Sequence, residues 1–426
     1  MHPLTLLTAG LILTASSATA ANWPQFRGTG GRGISESSDV PVRWNPDQNL
    51  HWRVELPGRG SSSPVIWEDK VFVTCYSGYG MSREDPGRIE DLVRHLVCVS
   101  VQDGQVLWQQ DVPTRMPEDP YQGFITEHGY ASQTPVTDGE HVYVFFGKSG
   151  VLAFDLQGQE LWRADVGQES SSRRWGSAAS PILFGDTVIV NASEESQSIR
   201  ALDRNTGAEK WRAQASRLDL VYGTPAVVPL EEQGEELVVA APGEIWGLEP
   251  NTGKLKWYAE TSANGNICPS VVTDGRTIFA YGGLGAGSLA LSAGGQGDVT
   301  GSNILWKSRE GSYVATPLLH EGRLHWVDDR AVAHCADAKT GELIYRERLR
   351  VSSGGRPFYS SMVLAGGHLY AVSRHDGTFV IKAGPEFELV SQNSLPEDSS
   401  DFNATPAIAN GRLYLRSDRF LYCLGK

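Results

Sequence analysis

The sequence has few of the residues that mark disulfide-rich or metal-binding proteins. Its 426 residues include five cysteines, no two of them adjacent or in a C-x-x-C spacing: Cys75, Cys98, Cys268, Cys335 and Cys423. An odd count leaves at least one thiol unpaired within the chain. Two interpretations stay open, namely thiols buried as small apolar groups in strand cores, or a Cys75–Cys98 disulfide in an oxidising compartment.

The sequence also lacks a hydrophobic run long enough for a membrane helix, which needs roughly 18 residues. The stretch from Leu4 to Leu13 is largely apolar but shorter, and Ala18-Thr19-Ala20 fits a small-x-small cleavage site. We therefore predict a signal peptide at residues 1–20 and an exported mature chain, periplasmic or secreted, without a membrane span. No cysteine lies near the cleavage site, so no lipid anchor is expected.

Positive charge is under-represented. Lys and Arg number 37 against 50 Asp and Glu, which gives a formal net charge of -13. Nucleic acids and anionic membrane surfaces are bound by clustered Lys and Arg, and the sequence has no such cluster. Neither is an expected partner.

Catalytic motifs are missing as well. The chain contains no G-x-S-x-G, H-E-x-x-H, Walker or dinucleotide-binding pattern. The carboxylate pairs Glu194-Glu195 and Asp328-Asp329 are expected in solvated loops. Glu127-His128 could form an acid–base pair, although neighbours in sequence rarely point at one another. No catalytic residue and no metal ligand is predicted.

A recurring unit is what the sequence does contain. In residues 201–211 a strand ends at Asp203, a turn runs through Thr206-Gly207, and a second strand carries Trp211. Glycine suits the turn because it adopts positive φ without steric cost. The aromatic position of the unit recurs along the chain at Trp52, Trp108, Trp162, Trp211, Trp257, Trp306 and Tyr345.

A second periodic signal marks where each unit begins. Eight short openings precede apolar strands, from Ser63-Pro64 to Thr405-Pro406, and seven of the eight contain proline. The fifth opening is Cys268-Pro269, and the seventh, Ser360-Ser361, lacks proline. Proline is tolerated at strand starts, and Asp-Gly or Asn-Gly turns between alternating runs favour hairpins. Each unit therefore predicts four antiparallel strands, A to D, in roughly 45 residues, the period of a propeller blade.

The eighth unit contains only strands A to C. Residues 50–56, with Trp52, have the pattern of a strand D, but no strands A to C precede them. Pairing this strand with the eighth unit would close the ring and remove free sheet edges. The sequence predicts an all-β, eight-bladed propeller closed by its N-terminal strand. We expect an irregular N-terminal cap at residues 21–48 and one propeller domain at 49–426, with 49–56 completing the last blade.

The unit at residues 201–211 resembles the tryptophan-docking motif of quinoprotein-like propellers, the PQQ-binding-like repeat proteins. This superfamily includes quinoprotein dehydrogenases and the propeller lipoprotein of the outer-membrane barrel-assembly machinery. The resemblance implies that the repeated aromatic residues pack between blades. In the dehydrogenases, pyrroloquinoline quinone (PQQ) stacks between a Trp and a disulfide of adjacent cysteines, near a calcium ion held by acidic and Asn ligands. This chain lacks adjacent cysteines, so no cofactor is expected, and PQQ with calcium is the alternative.

The residues just before each strand A should surround the mouth of the central channel. The candidate ligand-binding residues there are Arg59, Tyr130, Trp175, Tyr222, Asn266, Tyr313, Tyr359 and Asn403. Aromatic groups with Arg and Asn suit a planar or sugar-like ligand or a peptide loop. The alternative is that these residues only plug the channel.

Two long insertions occur near the first unit. One, at residues 76–95, lies within that unit, and the other, at residues 112–130, connects it to the second unit. The first is a B–C loop and the second a D–A connection, so both emerge on one face of the propeller. Long loops on a rigid scaffold tend to carry function. We expect an exported, non-enzymatic scaffold that binds a protein or small ligand of the cell envelope on this face. The alternative is a PQQ-dependent oxidoreductase with a site at the channel mouth; a carbohydrate-active enzyme lacks a supporting acid pair.

Overall fold

The computed structural model describes residues 21–230, 234–283, 285–352 and 354–426. The predicted signal peptide at residues 1–20 lies outside the described residues. Eight antiparallel four-stranded sheets form the blades, which confirms the predicted propeller. Strand A of each blade lies at the channel and strand D at the outer edge.

The strands of the first four blades, in the order A to D, have the following bounds. They are Val65–Trp67, Lys70–Ser77, Val93–Ser100 and Val106–Pro113 in blade 1; Val136–Thr137, His141–Phe145, Val151–Asp155 and Glu160–Ala164 in blade 2; Ile182–Phe184, Thr187–Ala192, Ser198–Asp203 and Glu209–Gln214 in blade 3; and Ala226–Leu230, Gly234–Ala241, Glu244–Leu248 and Leu255–Glu260 in blade 4.

The remaining blades follow the same order. Their strands are Val272–Thr273, Thr277–Tyr281, Ser288–Ser292 and Ile304–Ser308 in blade 5; Leu318–His320, Arg323–Val327, Val332–Asp337 and Leu343–Arg348 in blade 6; Val363–Ala365, His368–Val372, Thr378–Lys382 and Leu389–Asn393 in blade 7; and Ala407–Ala409, Arg412–Arg416, Phe420–Leu424 and Leu50–Glu55 in blade 8.

Short elements interrupt the loops. A two-residue strand, Gly297–Asp298, pairs in parallel with strand D of blade 4. The helical turns are Thr29–Gly31, Ile89–Asp91, Ile125–His128, Gly147–Ser149, Ser193–Ser196, Ser216–Leu218 and Thr300–Asn303. Within the described ranges, no helix has the length and apolar character that crossing a membrane requires.

The ring closes as the sequence predicts. Strand Leu50–Glu55 pairs antiparallel with Phe420–Leu424, with Trp52 opposite Cys423. The N-terminal strand thereby becomes the outer strand of the last blade, and both ends of the propeller are tied into one sheet.

A belt of hydroxyl groups joins neighbouring blades around the channel. Just before strand A in blades 2 to 8, a Ser or Thr hydroxyl accepts a hydrogen bond from the main-chain N–H of its counterpart in the preceding blade. Seven such bonds, of 2.9 to 3.0 Å, link Ser63, Thr134, Ser180, Thr224, Ser270, Thr316, Ser361 and Thr405 in order. Each bond satisfies a main-chain donor that would otherwise be buried without a partner.

The belt corrects the sequence alignment of blade 5. The residue equivalent to the other hydroxyls is Ser270, not Cys268 of the predicted opening. The Cys268 thiol is instead within 3.2 Å of the Asn266 amide nitrogen. Strand A of this blade therefore begins only at Val272.

Five of the repeated Trp residues pack on a glycine of the next blade. The Trp211 ring lies against Gly253, where an added Cβ would come within 2.3 Å of it, and its indole N–H donates to the Pro250 carbonyl at 2.9 Å. The same arrangement holds for Trp52, Trp108, Trp162 and Trp306.

Trp257 and Tyr345 make different contacts. The Trp257 indole N–H donates to the Glu236 carboxylate of its own blade at 2.8 Å. In the next blade the longer, glycine-rich segment 293–303 precedes strand D, and a Cβ added at its glycines would not meet the indole. The ring lies instead against Gly247 of its own blade, where an added Cβ would come within 2.1 Å. The Tyr345 ring packs edge-on against Phe387, with centroids 5.7 Å apart.

All five cysteines are free. Cys75 packs in the core shared by blades 8 and 1, whereas Cys98 packs in the core shared by blades 1 and 2. The two thiols lie on opposite faces of one blade, so the disulfide considered from the sequence is wrong.

Candidate functional site

The two insertions of the first sector fold together into a structure that we call the crown, residues 78–92 and 114–130. Its core contains Tyr79, Leu92, Tyr121, Ile125 and Tyr130, all buried. The Tyr121 main-chain N–H donates to the Tyr79 hydroxyl at 3.0 Å. The insertions are therefore a packed unit with its own apolar core.

Two buried ion pairs attach the crown to the blades below it. Arg94 of blade 1 contacts Glu118 at 2.6 Å, and Lys148 of blade 2 contacts Asp119 at 2.9 Å. All four side chains are less than 5% exposed. Removing one partner of such a pair would leave an uncompensated buried charge, which is costly. The pairs thus hold the crown in one position.

Part of the crown, residues 124–129, crosses the channel mouth; we call it the lid segment. The Phe124 ring lies 4.5 Å from the ring of Trp175 and 5.9 Å from that of Tyr313, measured between centroids. These aromatic residues precede blades 3 and 6. The lid segment therefore reaches from the crown to the far side of the ring.

Polar contacts fix the lid segment to blades 7 and 8. The Glu127 carboxylate pairs with Arg83 at 2.5 Å and with Arg374 at 2.9 Å. The Asn403 side-chain amide donates to the Glu127 carbonyl at 2.9 Å. Because most of these contacts come from side chains, they can break without disturbing a sheet.

His128 has partners other than Glu127. Its Nε2 lies 2.9 Å from the Trp175 carbonyl oxygen and its Nδ1 lies 2.6 Å from the Ser132 hydroxyl. A carbonyl can only accept, so Nε2 carries a proton. Burial lowers the pKa of His128 to about 4, and the ring is neutral at physiological pH. Glu127 and His128 therefore do not form the acid–base pair that was considered from the sequence.

A cavity of about 160 Å³ lies beneath the lid segment, far more than the roughly 10–15 Å³ that one water needs. Phe26 of the N-terminal segment also lines it. Six of the eight predicted mouth residues line this cavity: Trp175, Tyr222, Asn266, Tyr313, Tyr359 and Asn403.

The other two predicted mouth residues do not line it. Arg59 pairs with Asp418 at 2.7 Å and bonds the Tyr121 hydroxyl at 3.1 Å. Tyr130 is buried in the crown, where its hydroxyl donates to the Asp119 carbonyl at 2.8 Å. Both residues lie in the sector where the crown is inserted, and they support the crown rather than face the cavity.

Three arginines stack on aromatic residues of the cavity wall. Arg356 lies 4.4 Å from the centre of the Tyr313 ring, Arg374 lies 4.8 Å from that of Tyr359, and Arg173 lies 5.7 Å from that of Trp175. A guanidinium above an aromatic face is attracted by the ring quadrupole. Two of these arginines are already paired with carboxylates, Arg356 with Asp329 and Arg374 with Glu127 and Asp401. The sequence did not predict these arginines, because they have no fixed position in the repeat.

The carboxylate pair at Glu194-Glu195 is buried, so the expectation of a solvated loop is wrong. Glu195 is 1% exposed and accepts a hydrogen bond from the Ser177 hydroxyl. Burial raises its pKa to about 8, and it raises the pKa of Glu194 as well. The pair sits on the helical turn Ser193–Ser196 between strands B and C of blade 3.

Asp329 also departs from the expectation. It is 8% exposed, and burial raises its pKa. Arg356 lies 3.4 Å from its carboxylate. The same arginine therefore contacts both Asp329 and the wall of the cavity.

The residues at the mouth do not fit the PQQ–calcium arrangement that the resemblance implies. The face of Trp175 is covered by Phe124, and the carboxylate of Glu127, which lines the cavity, is engaged by two arginines. Among the described residues, no group of three His, Cys, Asp or Glu side chains is placed to hold a metal ion. We derive no redox step at this site.

Two of the solved structures that share this architecture are a BamB protein and a methanol dehydrogenase. BamB from Moraxella catarrhalis is 14% identical with a TM-score of 0.60, and the match covers 88% of this chain and 97% of that chain. A europium-containing methanol dehydrogenase is 11% identical with a TM-score of 0.61, and the match covers 95% and 98% of the two chains. At these identities the likeness establishes the fold alone.

Sequence comparison identifies the family. The outer membrane protein assembly factor BamB of Alkalilimnicola ehrlichii (strain ATCC BAA-1101 / DSM 17681 / MLHE-1) is 23% identical over 197 residues, which is 46% of this chain. The match spans 42% of that relative's length, less than half. A family model described as "Outer membrane protein assembly factor BamB" matches residues 93–347 and 295–383, more than half of the chain. The chain therefore belongs to this BamB-like family of PQQ-type propellers.

Proposed function

We propose that the chain is an exported scaffold of the cell envelope that binds a protein partner through the crown and the loops around it. The observation that carries this proposal is the crown itself, a packed unit outside the repeat, held by the Arg94–Glu118 and Lys148–Asp119 pairs. A rigid surface loses little conformational entropy on binding, which favours association. Membership of a family named for outer-membrane protein assembly supports a protein partner.

The surface of the crown has the chemistry of a protein interface. Met81 and Met116 are 41% and 46% exposed, so the crown offers large apolar side chains to a partner. Methionine adapts its shape to a partner and is enriched in interfaces. Charged residues of both signs lie nearby in sequence, among them Arg83, Glu84 and Arg88. A partner with an apolar centre and a polar rim would match them.

A double variant, Met81→Asp with Met116→Asp, tests the proposal without removing the crown. Deleting residues 82–92 would be less informative, because Leu92 is fully buried in the crown core. The immobilised mature protein is exposed to solubilised native envelope, and captured proteins are quantified by mass spectrometry. Any protein whose capture saturates is then titrated with each variant.

The expected result is a loss of affinity of tenfold or more in the double variant. The matched control is Leu305→Asp, which places the same charge at a 54% exposed leucine on the outer strand of blade 5. This control should bind like the unmodified protein. Equal affinity for all three proteins, or equal loss in the control, would overturn the proposal.

Binding of a small planar molecule in the mouth cavity is a second candidate function. The aromatic walls, which include Tyr313, Tyr359 and Trp175, favour it. Calorimetric titration with PQQ, with and without calcium, uses an available planar polyanion as the probe. One-to-one binding that Trp175→Ala abolishes would support this candidate and reopen the oxidoreductase alternative. Absence of binding by folded protein would exclude PQQ.

A further inference from the structure

The opposite end of the channel is closed by an N-terminal segment that we call the plug, residues 23–33. The plug contains Arg27, whose side chain is 1% exposed. Its Nη2 donates to the Pro317 carbonyl at 2.7 Å and to the Arg32 carbonyl at 3.4 Å. Its Nε and Nη1 are buried and have no hydrogen-bond partner.

This guanidinium carries a charge that the described part of the chain does not compensate. Burial lowers the pKa of Arg27 to about 9, so the group is still protonated at neutral pH. Burial is the only cause of this shift, with no contribution from a charged neighbour among the described residues. Burying a charge without a counter-charge is costly. A buried group without a partner calls for an ion or a water.

Space for a ligand exists beside the plug. A cavity of about 460 Å³ is lined by Arg27 together with Gln25, Thr224, Ser270 and one acidic residue, Glu235. Gly33 packs against the guanidinium, because an added Cβ would lie 3.2 Å from both Nε and Nη2. Its φ of +74° is a second reason for glycine at this position.

We propose that the plug end of the channel binds a small inorganic anion, of halide size, against the free N–H groups of Arg27. The anion supplies the missing counter-charge and accepts the two unused donors. Phe26, Thr224 and Ser270 border both this cavity and the mouth cavity, but Arg27 lines only this one, and no crown residue lines it. The proposal therefore stands or falls independently of the proposed function.

Thermal unfolding of the mature protein at constant ionic strength tests this site, with sodium chloride replacing sodium gluconate stepwise. An anion that binds only the folded state stabilises it in a saturable way. Because the Tm shift that a given binding free energy produces falls as the chain lengthens, we expect a saturable rise in Tm of roughly 1–3 °C. The rise should vanish in Arg27→Gln and persist in Arg32→Gln, a matched change at an exposed arginine of the same segment.

Bromide soaking of crystals of the unmodified protein gives a second readout, which does not depend on Arg27→Gln folding. An anomalous bromide peak within hydrogen-bond distance of Nε or Nη1 is expected. A chloride effect equal in all three proteins, or density that fits only water at Arg27 in bromide, would overturn the proposal.

Discussion

The two ends of the channel are closed by non-repeat segments, but in different ways. The plug is joined to the blades by main-chain bonds: Trp23 exchanges two of them with Ile66, and Leu364 donates to the Gly33 carbonyl at 2.8 Å. The lid segment is held mainly by side chains, through Glu127 and His128. Main-chain pairing to several blades makes the plug part of the sheet framework, whereas side-chain contacts leave the lid segment able to exchange partners. The plug end therefore belongs to the stable framework, and the crown end is where we propose that a protein partner binds.

The largest expected effect tests the stability side of this comparison. Trp23→Ala should destabilise the protein by about 3–5 kcal/mol, because the indole is 1% exposed and packs against Gly28. Phe124→Ala should cost no more than roughly 2 kcal/mol, because Phe124 is only partly buried. Urea unfolding measures both free energies. Equal losses at the two ends would break the comparison.

A pH-dependent effect is expected at the crown end. Burial raises the pKa of Glu195 from 4.5 to about 8, so the folded state retains a proton that the unfolded state releases. This protonated carboxyl favours the folded state fully below pH 4.5, and the advantage is lost progressively as the pH rises toward 8. Glu195→Gln should remove this dependence and stabilise the protein by about 2–3 kcal/mol at neutral pH.

Urea unfolding at several pH values between 4.5 and 8.5 measures this difference. The matched control is Glu84→Gln, at an exposed carboxylate of the crown. The control should unfold with the same pH profile as the unmodified protein. A Glu195→Gln profile that parallels the unmodified one would contradict the assignment of a buried, protonated carboxyl.

The smallest expected effect concerns the lid segment. Glu127→Gln weakens the ion pairs with Arg83 and Arg374, which are partly exposed and together contribute about 0.5–1 kcal/mol. Global stability should change little, but amide hydrogen exchange at residues 124–129 should become a few-fold faster. Exchange in the plug should not change. Equal acceleration at both ends would show that the ends are coupled rather than distinct.

The fold was predictable because short-range sequence signals, namely turn residues and prolines, define the strands of each repeat. Turns such as Thr206-Gly207 lie between strands C and D, and prolines such as Pro225 come directly before strand A. The fourth strand that the last unit lacks identified its partner at Leu50–Glu55. Blade 5 was misaligned because Cys268-Pro269 imitates an opening two residues before the true belt residue, Ser270.

The site was less predictable because its parts depend on insertions. Tyr313, which precedes a strand A, lines the mouth cavity, but Arg59 and Tyr130, at the same position in their units, contact the crown. Burial of Glu195 depends on how a loop of blade 3 packs beneath neighbouring loops, and no local pattern encodes this. Arg356 stacks on Tyr313 from a loop without a repeat position.

The most direct test of the account is a hydrogen-exchange footprint of the protein bound to the partner that its crown captures. The account predicts protection in residues 78–92 and 114–130 and unchanged exchange in the plug at residues 23–33. Protection confined to the plug or to the outer strands, with the crown exchanging as in the free protein, would contradict it.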